Sequence, residues 1–379
     1  MGEFKSRTAF IITDKRAKVF VENGNIKVRY IKNEEDIKAE ERTFRPHEIS
    51  QIITIGKVDI TGDALNLIMK EKIELIFLNR NGKFISKLMP STSKNVFLRI
   101  KQYKRLEDKE FILEFSKSII RAKIKNQIVN LRKNASNRNF YNDRSNYEII
   151  IRKLENLREM IMRADNIDKV RALEGQASKL YFKLFGRLIE PEWAVFRGRT
   201  KHPPRDNVNA VLSFLYSVIL TRIIGAIESV GLDPYAGFFH KIHYGHPTLA
   251  FDLIEEFRVP LGDQVCTTLF NKKVLKPEDF RENLFNVNSD DYPLDNSDSE
   301  DEIEIIGDGV KGVLLNEEGV KKVVKNLSTK LTSERNYHNK LLGDKRVSFD
   351  KIILYQVESL KEVILNYPDV PMYAGITMR

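Results

Sequence analysis

Only one of the 379 residues is a cysteine, Cys266, and only six are histidines. A lone cysteine excludes an internal disulfide and a cysteine-built zinc site, and suits a reduced, cytoplasmic compartment. No run of about 18 apolar residues occurs, which argues against a membrane span. The start, MGEFKSRTAFIITD, lacks the long apolar core and small-residue cleavage site of a signal peptide. There is no GxxxxGK(S/T) loop, so no nucleotide triphosphate is expected to drive the chemistry. No repeat of about 20 to 50 residues is visible.

Hydrophobic residues make up 42% of the chain, enough for real cores, and the length allows two domains. The formal net charge of +10 understates the basic surface. Residues 289–304, SDDYPLDNSDSEDEIE, hold eight acids and no base; with them set aside, 45 acids face 63 bases, a balance of +18. A body this basic favours a polyanionic partner, most often nucleic acid, although an ordinary basic surface remains an alternative. The acidic stretch itself reads as a flexible loop.

The first ninety or so residues read as β. AFIITD, AKVFVEN, NIKVRYI, SQIITIG and IELIFLN are short, β-branched and separated by turn residues. Asn-Gly inside VENGNIKV predicts a tight hairpin, because both central positions of that turn need positive φ. TGDALNLIMKEK, residues 61–72, predicts one embedded helix. From about residue 96 the pattern turns to long helices, many of them basic. Asn166 and Asp206 are placed to cap two of them, and Gly231 to end the second. The predicted architecture is α+β: an N-terminal β-sandwich-like domain over 1–92, then a larger all-α catalytic domain over 96–379.

Three segments carry chemistry. GFFHKIHYGHPTLAFDLIEEF, residues 237–257, holds His240, His243 and His246, followed by Asp252, Glu255 and Glu256. At 100° per residue the three acids share one narrow arc of a helix, either a solvated stripe or a set of ligands. Imidazole beside carboxylates, without cysteine, suits Mg²⁺ or Mn²⁺ better than structural zinc. Gly237, Gly245 and Pro247 break the helix pattern, so the histidines belong to a turn and HxxHxxH is not a three-histidine cage. LEGQASKLYF puts Glu174 before a mid-helix glycine, Gly175, which predicts a close backbone approach there unless Glu174 is simply a surface residue. FRGRTKHPPRD carries Arg197, Arg199, Lys201, His202 and Arg205 on a chain held extended by Pro203 and Pro204; it suits a phosphate backbone or is a solvated connector.

Taken together, LEGQAS, FRGRTKHPPRDNVNAVLSFLY and GLDPYAGFFHKIHYGHPTLAFDLIEEFR resemble, in order and spacing, the CRISPR-associated integrase of spacer acquisition. The N-terminal ISQIITIGKVDITGDALNLIMKEKIELIFLNRNGKFI and the later GVLLNEEGVKKVV are similar to that family as well, so the likeness covers nearly the whole chain. The resemblance implies metal ligation by Glu174, His240 and Glu255, with Asp252 as a further acid of the site. It also implies a DNA-contacting role for Arg197, Arg199, Lys201, Arg205 and Arg258. Family members usually carry Arg where His246 stands, so one fixed positive charge is missing here. The implied reaction is attack of a DNA 3′-hydroxyl on a phosphodiester at a CRISPR repeat boundary, or hydrolysis with water. The implied assembly is a homodimer flanking a small ferredoxin-like partner. Two other readings stand beside it: a stand-alone structure-specific nuclease of repair or mobile elements, and a non-catalytic DNA-binding scaffold.

Overall fold

The computed structural model describes residues 8–12, 17–30, 40–71, 73–78, 84–88, 95–134, 144–200, 203–286, 305–306 and 309–378. The N-terminal strands are β1 (Thr8–Ile12), β2 (Ala17–Glu22), β3 (Asn25–Tyr30), β4 (Glu40–Phe44), β5 (Ile49–Ile55), β6 (Val58–Ile60), β7 (Glu74–Leu78) and β8 (Phe84–Leu88). They form two four-stranded sheets, ordered β4-β3-β2-β6 and β1-β5-β7-β8. Asn23 and Gly24 sit at φ 51° and 72°, closing the two-residue turn between antiparallel β2 and β3. Helix α1 (Gly62–Lys70) starts at Thr61, whose hydroxyl accepts the Ala64 N–H at 3.3 Å.

Successive strand residues point to opposite faces, and β5 uses both. Ile52 joins Val19, Ile26, Ala64 and Ile68 in the N-terminal core. Ile53 and Ile55 face the other way, into the main helical core. The second sheet is thereby welded to the helices that follow.

Those helices are α2 (Val96–Arg105), α3 (Lys109–Lys133), α4 (Arg144–Met162), α5 (Ile167–Phe185), α6 (Asn207–Val230), α7 (Thr248–Phe257), α8 (Gln264–Asn271), α9 (Glu317–Thr332) and α10 (Phe349–Asn366). The caps fall where expected. Asn166 accepts the Lys169 N–H at 2.9 Å, Asp206 accepts the Asn209 N–H at 2.7 Å, and Gly231 closes α6 at φ 98°. By length and composition α6 could cross a membrane, but it is a core helix whose apolar residues are buried among its neighbours.

The C-terminal region is mostly helical rather than all-α. β9 (Phe280–Asn286), β10 (Ile305–Ile306) and β11 (Gly309–Leu315) make a three-stranded sheet, and β12 (Glu334–Tyr337) pairs with β13 (Lys345–Ser348). FRENLFN and GVKGVLL pair in antiparallel register from Phe280↔Leu315 to Asn286↔Gly309. β11 also holds the Pro203-Pro204 connector, its Val313 N–H donating to the Pro204 carbonyl at 2.8 Å. The acidic stretch 289–304 lies outside the described residues, as does most of the polar segment between α3 and α4.

After α10 the chain runs without regular structure over residues 367–378 and is strapped to the middle of the molecule. The Asn126 amide donates to the Glu256 carbonyl at 3.1 Å and the Ile376 carbonyl at 3.0 Å, and its oxygen accepts the Met378 N–H at 2.7 Å. The Glu256 carboxylate, fully buried, accepts from Gln356 at 2.8 Å and also from the Tyr373 hydroxyl and the Ile376 N–H. Burial pushes its pKa up to about 7 against the pull of those three donors.

Candidate active site

The centre of the site is α3. Most of its inward positions are apolar, among them Phe115, Ile119, Ile120, Ile124 and Ile128. Threaded between them is a second inward set, Ser116, Lys123, Asn126, Gln127 and Asn130, all buried. Lys123 reaches across to two helices at once. Its ammonium bonds Glu174 of α5 and lies 2.6 Å from Glu255 Oε2 of α7. Ser178, one turn beyond Glu174, donates to the same carboxylate at 2.7 Å. Residues distant in sequence are therefore gathered around one ammonium.

Burial works against all three charges, and their mutual attraction overrides it. Glu255 would be pushed up by desolvation; the Arg258 guanidinium, Lys123 and His240 outweigh that and hold it well below the usual carboxylate range. Glu174 is likewise held low by Lys123 against burial and against Glu255. Lys123 is desolvated yet raised, because two carboxylates face it. The acids are ionised and close, and a cation already lies between them.

His240 enters from a turn that α7 itself holds in place. Asp252, wholly buried, accepts the Phe238, Phe239 and His240 N–H groups at 2.6, 2.9 and 2.9 Å. Its Oδ1 also meets His240 Nδ1 at 2.8 Å. An imidazole that donates Nδ1–H to a carboxylate presents Nε2 as its lone pair. Gly237 permits this approach: a Cβ there would stand 2.5 Å from the Thr248 carbonyl carbon and 2.8 Å from Asp252 Oδ2. From the other side Arg171 of α5 clamps the Phe239 carbonyl, at 2.6 and 3.1 Å.

Beneath Glu255 lies a buried aromatic layer. Arg258 donates Nε–H to Glu255 Oε1 at 2.9 Å and lies 4.6 Å over the Tyr216 ring. Tyr216 and Tyr181 both donate their hydroxyls to Asp263, Tyr181 at 2.7 Å. Burial pushes Asp263 up to about 6 in spite of those donors. The folded state therefore holds a proton on Asp263 that the unfolded chain has released, over a window from about pH 4 to pH 6. The contribution of Asp263 is expected to fall as pH rises through that window, by at most about 3 kcal/mol, while Glu256, pushed up to about 7, adds a further fall toward pH 7. Chemical denaturation of Asp263→Asn against the parent, from pH 4 to 7, checks this: the parent-minus-variant difference falls between about pH 4 and 6 and is flat above, while the variant keeps the Glu256 slope.

The structure redistributes the residues singled out from sequence. Glu174, His240 and Glu255 converge on one region, and Asp252 has both oxygens occupied in positioning the turn. Arg199 does not offer a surface charge: it bonds Asn209 at 2.9 Å and Ser213 at 3.1 Å and lies 5.4 Å over Tyr216. Arg258 is likewise engaged with Glu255 and Tyr216. Arg197 and Arg205 are exposed, while Lys201 and His202 lie outside the described residues. Gly175 has no close neighbour, since a Cβ there would meet nothing within 4 Å. Glu174 is instead enclosed by Lys123 and Ser178. Lys123, Ser178, Tyr216 and Asp263 were not foreseen; the signal for Lys123 was polar residues at helical spacing within the apolar face of α3.

Among the described residues no three of His, Cys, Asp and Glu stand together as a ready metal cage. The donor set nevertheless fits a hard divalent cation: two ionised carboxylates, a free imidazole nitrogen, and a positive group already seated between the acids. Glu255 Oε2 is buried and meets only the Lys123 ammonium, at 2.6 Å, so one of its two lone pairs remains open.

Comparison with known proteins meets this geometry. The profile of the family described as CRISPR associated protein Cas1 matches residues 10–290. The chain belongs to the Cas1 family. A CRISPR-associated endonuclease Cas1 of Rhodospirillum rubrum is 35% identical over 242 residues, 62% of this chain and 69% of that protein. One from Archaeoglobus fulgidus is 35% identical over 252 residues, 63% and 72% of the two chains. The fold also resembles a casposase bound to integration product, with TM-score 0.76, 21% identity and coverage of 98% and 94%. A Cas1 protein from Thermotoga maritima gives TM-score 0.70, 19% identity and coverage of 95% and 98%.

Proposed function

We propose that this Cas1-family chain is a metal-dependent DNA integrase and endonuclease that inserts DNA fragments into a CRISPR array. One observation carries the reading: Glu174 and Glu255, ionised and facing each other across a cation, lie beside an imidazole whose orientation is fixed by Asp252. Glu174, Glu255 and His240 Nε2 are the groups that hold Mg²⁺ or Mn²⁺. A bound divalent ion lowers the pKa of an attacking 3′-hydroxyl and neutralises charge gathering on the phosphorus. Asp252 keeps His240 in one tautomer and one pose, and Arg258 keeps Glu255 ionised and pointed inward. Arg197 and Arg205, exposed on the connector, are suited to hold the phosphate backbone and set its register. Since one phosphodiester replaces another, no nucleotide triphosphate is consumed.

The DNA substrates in this reading are a duplex with 3′ ends and CRISPR repeat DNA. The assembly is a cytoplasmic homodimer with a small ferredoxin-like partner. In support, a Cas6-RT-Cas1–Cas2 complex contains a chain of this fold, with TM-score 0.73 at 20% identity. The likeness to a casposase keeps a second reading in view, an integrase or nuclease of mobile elements acting without a repeat array.

The test is a strand-transfer assay with Mn²⁺ or Mg²⁺, a 3′-OH duplex, and supercoiled DNA carrying a repeat array. Glu174→Ala, His240→Ala and Glu255→Ala are expected to lose joining by at least about 100-fold while still binding DNA. Joining in EDTA would sink metal dependence, and insertion indifferent to the repeat favours the second reading. Loss in His243→Ala with activity kept in His240→Ala overturns the ligand assignment.

A further inference from the structure

β5 and β7 are parallel neighbours, and their register sets Gln51 directly beside Glu74. Their side chains leave the same face as Ile53, Ile55, Ile76 and Leu78, which enter the helical core. An amide and a carboxyl are thus carried together to the place where the N-terminal sheet meets α6. Gly225 of α6 makes the room: a Cβ there would lie 2.9 and 3.1 Å from the two carboxyl oxygens of Glu74. Neither residue belongs to the cluster of Glu174, His240 and Glu255.

Hydrogen bonding at this junction is one donor short. Gln51, wholly buried, donates Nε2–H to Glu74 Oε2. Among the described residues, Gln51 Oε1 and Glu74 Oε1 are both buried and accept from nothing. Two acceptors cannot satisfy each other, and each left unpaired destabilises the fold. A single proton turns one of them into a donor and satisfies both. The cations nearby have other partners. Lys87 of β8 pairs with Glu228 of α6, and Arg222 of α6 lies 3.4 Å from Asp350 of α10. Burial, with the Glu228 charge on the same side, pushes the Glu74 pKa up against Gln51, Arg222 and Lys87.

We propose that Glu74 is held as a neutral carboxylic acid whose O–H donates to Gln51 Oε1, closing a two-bond acid–amide pair that seats the N-terminal sheet on α6. The seam so formed is sensitive to pH. Below the ordinary carboxyl value of 4.5, folded and unfolded chains hold the proton alike. As pH rises above that value, the unfolded chain releases the proton and the folded one keeps it. The contribution of Glu74 to stability therefore falls until its raised folded value is passed, and is level beyond. There the O–H bond is lost and a buried charge stands against α6.

Thermal unfolding of the parent, Glu74→Gln and Gln51→Met from pH 5 to 8 tests this. Glutamine at position 74 keeps both hydrogen bonds, its NH₂ replacing the O–H, and has no proton to hold. Glu74→Gln is therefore expected to melt at or above the parent temperature, with the gap widening as pH rises. That gap cancels the slopes of Asp263 and Glu256, which both proteins share. Gln51→Met deletes the pair from the other strand and is expected to melt below the parent at pH 5. Infrared spectra at pH 7 read the proton directly: the parent minus Glu74→Gln difference is expected to show the C=O stretch of a protonated carboxyl. A carboxylate bridged by a buried water gives no such band, and its absence overturns the proposal. So does a Glu74→Gln variant that melts below the parent or fails to fold, or a Gln51→Met variant that melts with the parent. None of these readings needs metal or DNA, so they stand apart from the joining assay.

Discussion

Asp252→Ala is expected to lower the unfolding free energy by about 3 to 6 kcal/mol and to abolish DNA joining. The reason is a count of donors. Asp252 is fully buried and accepts three main-chain N–H groups as well as His240 Nδ1. Alanine leaves the buried Phe238 and Phe239 N–H groups without partners, at about 1 to 3 kcal/mol each, and strips the half-buried His240 N–H of its acceptor as well. It also frees His240 to rotate, so activity falls even in molecules that remain folded. Asp252→Asn keeps one acceptor oxygen and turns an NH₂ group toward backbone donors, so its loss should be smaller but substantial. Denaturant unfolding followed by circular dichroism measures the first effect, and strand transfer normalised to folded protein measures the second. A stability for Asp252→Ala within about 1 kcal/mol of the parent contradicts this account of the turn.

The second large effect is expected at Lys123. Lys123→Met removes the ammonium from between Glu174 and Glu255 and leaves a half-buried and a buried carboxylate facing each other. Breaking a buried pair by deleting one partner costs about 3 to 5 kcal/mol, because the charge left behind is uncompensated. Neutralising an acid as well should restore part of the loss. Lys123→Met/Glu174→Gln is therefore expected to be more stable than Lys123→Met alone. The double-mutant cycle should show a coupling of more than about 1 kcal/mol. Additive effects would mean that the three groups do not form one electrostatic unit. The same variant bears on the metal: Mn²⁺ should raise the melting temperature of Lys123→Met more than that of the parent, whose own cation competes for the acids.

What the sequence disclosed follows from how local each signal is. The Asn23-Gly24 turn, the caps at Asn166 and Asp206 and the stop at Gly231 each depend on a few adjacent residues, and all were legible. His240 and Glu255 stood out because a histidine in GFFH and an acidic arc on a short helix are unusual neighbours. Glu174 was found only through the combination of three segments. Lys123 was hidden for the opposite reason, since α3 carries many basic residues and one more reads as a phosphate contact. Its role appears only when α3, α5 and α7 are brought together. Arg199 was hidden in a related way: a basic run predicts charge at the surface, whereas its side chain turns inward to Asn209, Ser213 and the Tyr216 ring. Arg258, given a DNA contact by the resemblance alone, turns to Glu255 and the same ring. The strands β9 to β13 escaped notice because charge and glycine interrupt them, as in FRENLFN and GVKGVLL, so neither a continuous apolar run nor a clean alternation marks them. Gly175 shows the limit of inference from propensity, for a glycine in a helix need not mark a close neighbour.

Glu255 and Glu256 are joined by one peptide bond, and on a helix their side chains leave the axis about 100° apart. One points into the Lys123 cluster and the other into the strap of residues 373–378. No flexible linker separates the two, so a single short helix, α7, carries both an acid of the Lys123 cluster and the seat of the carboxy-terminal segment.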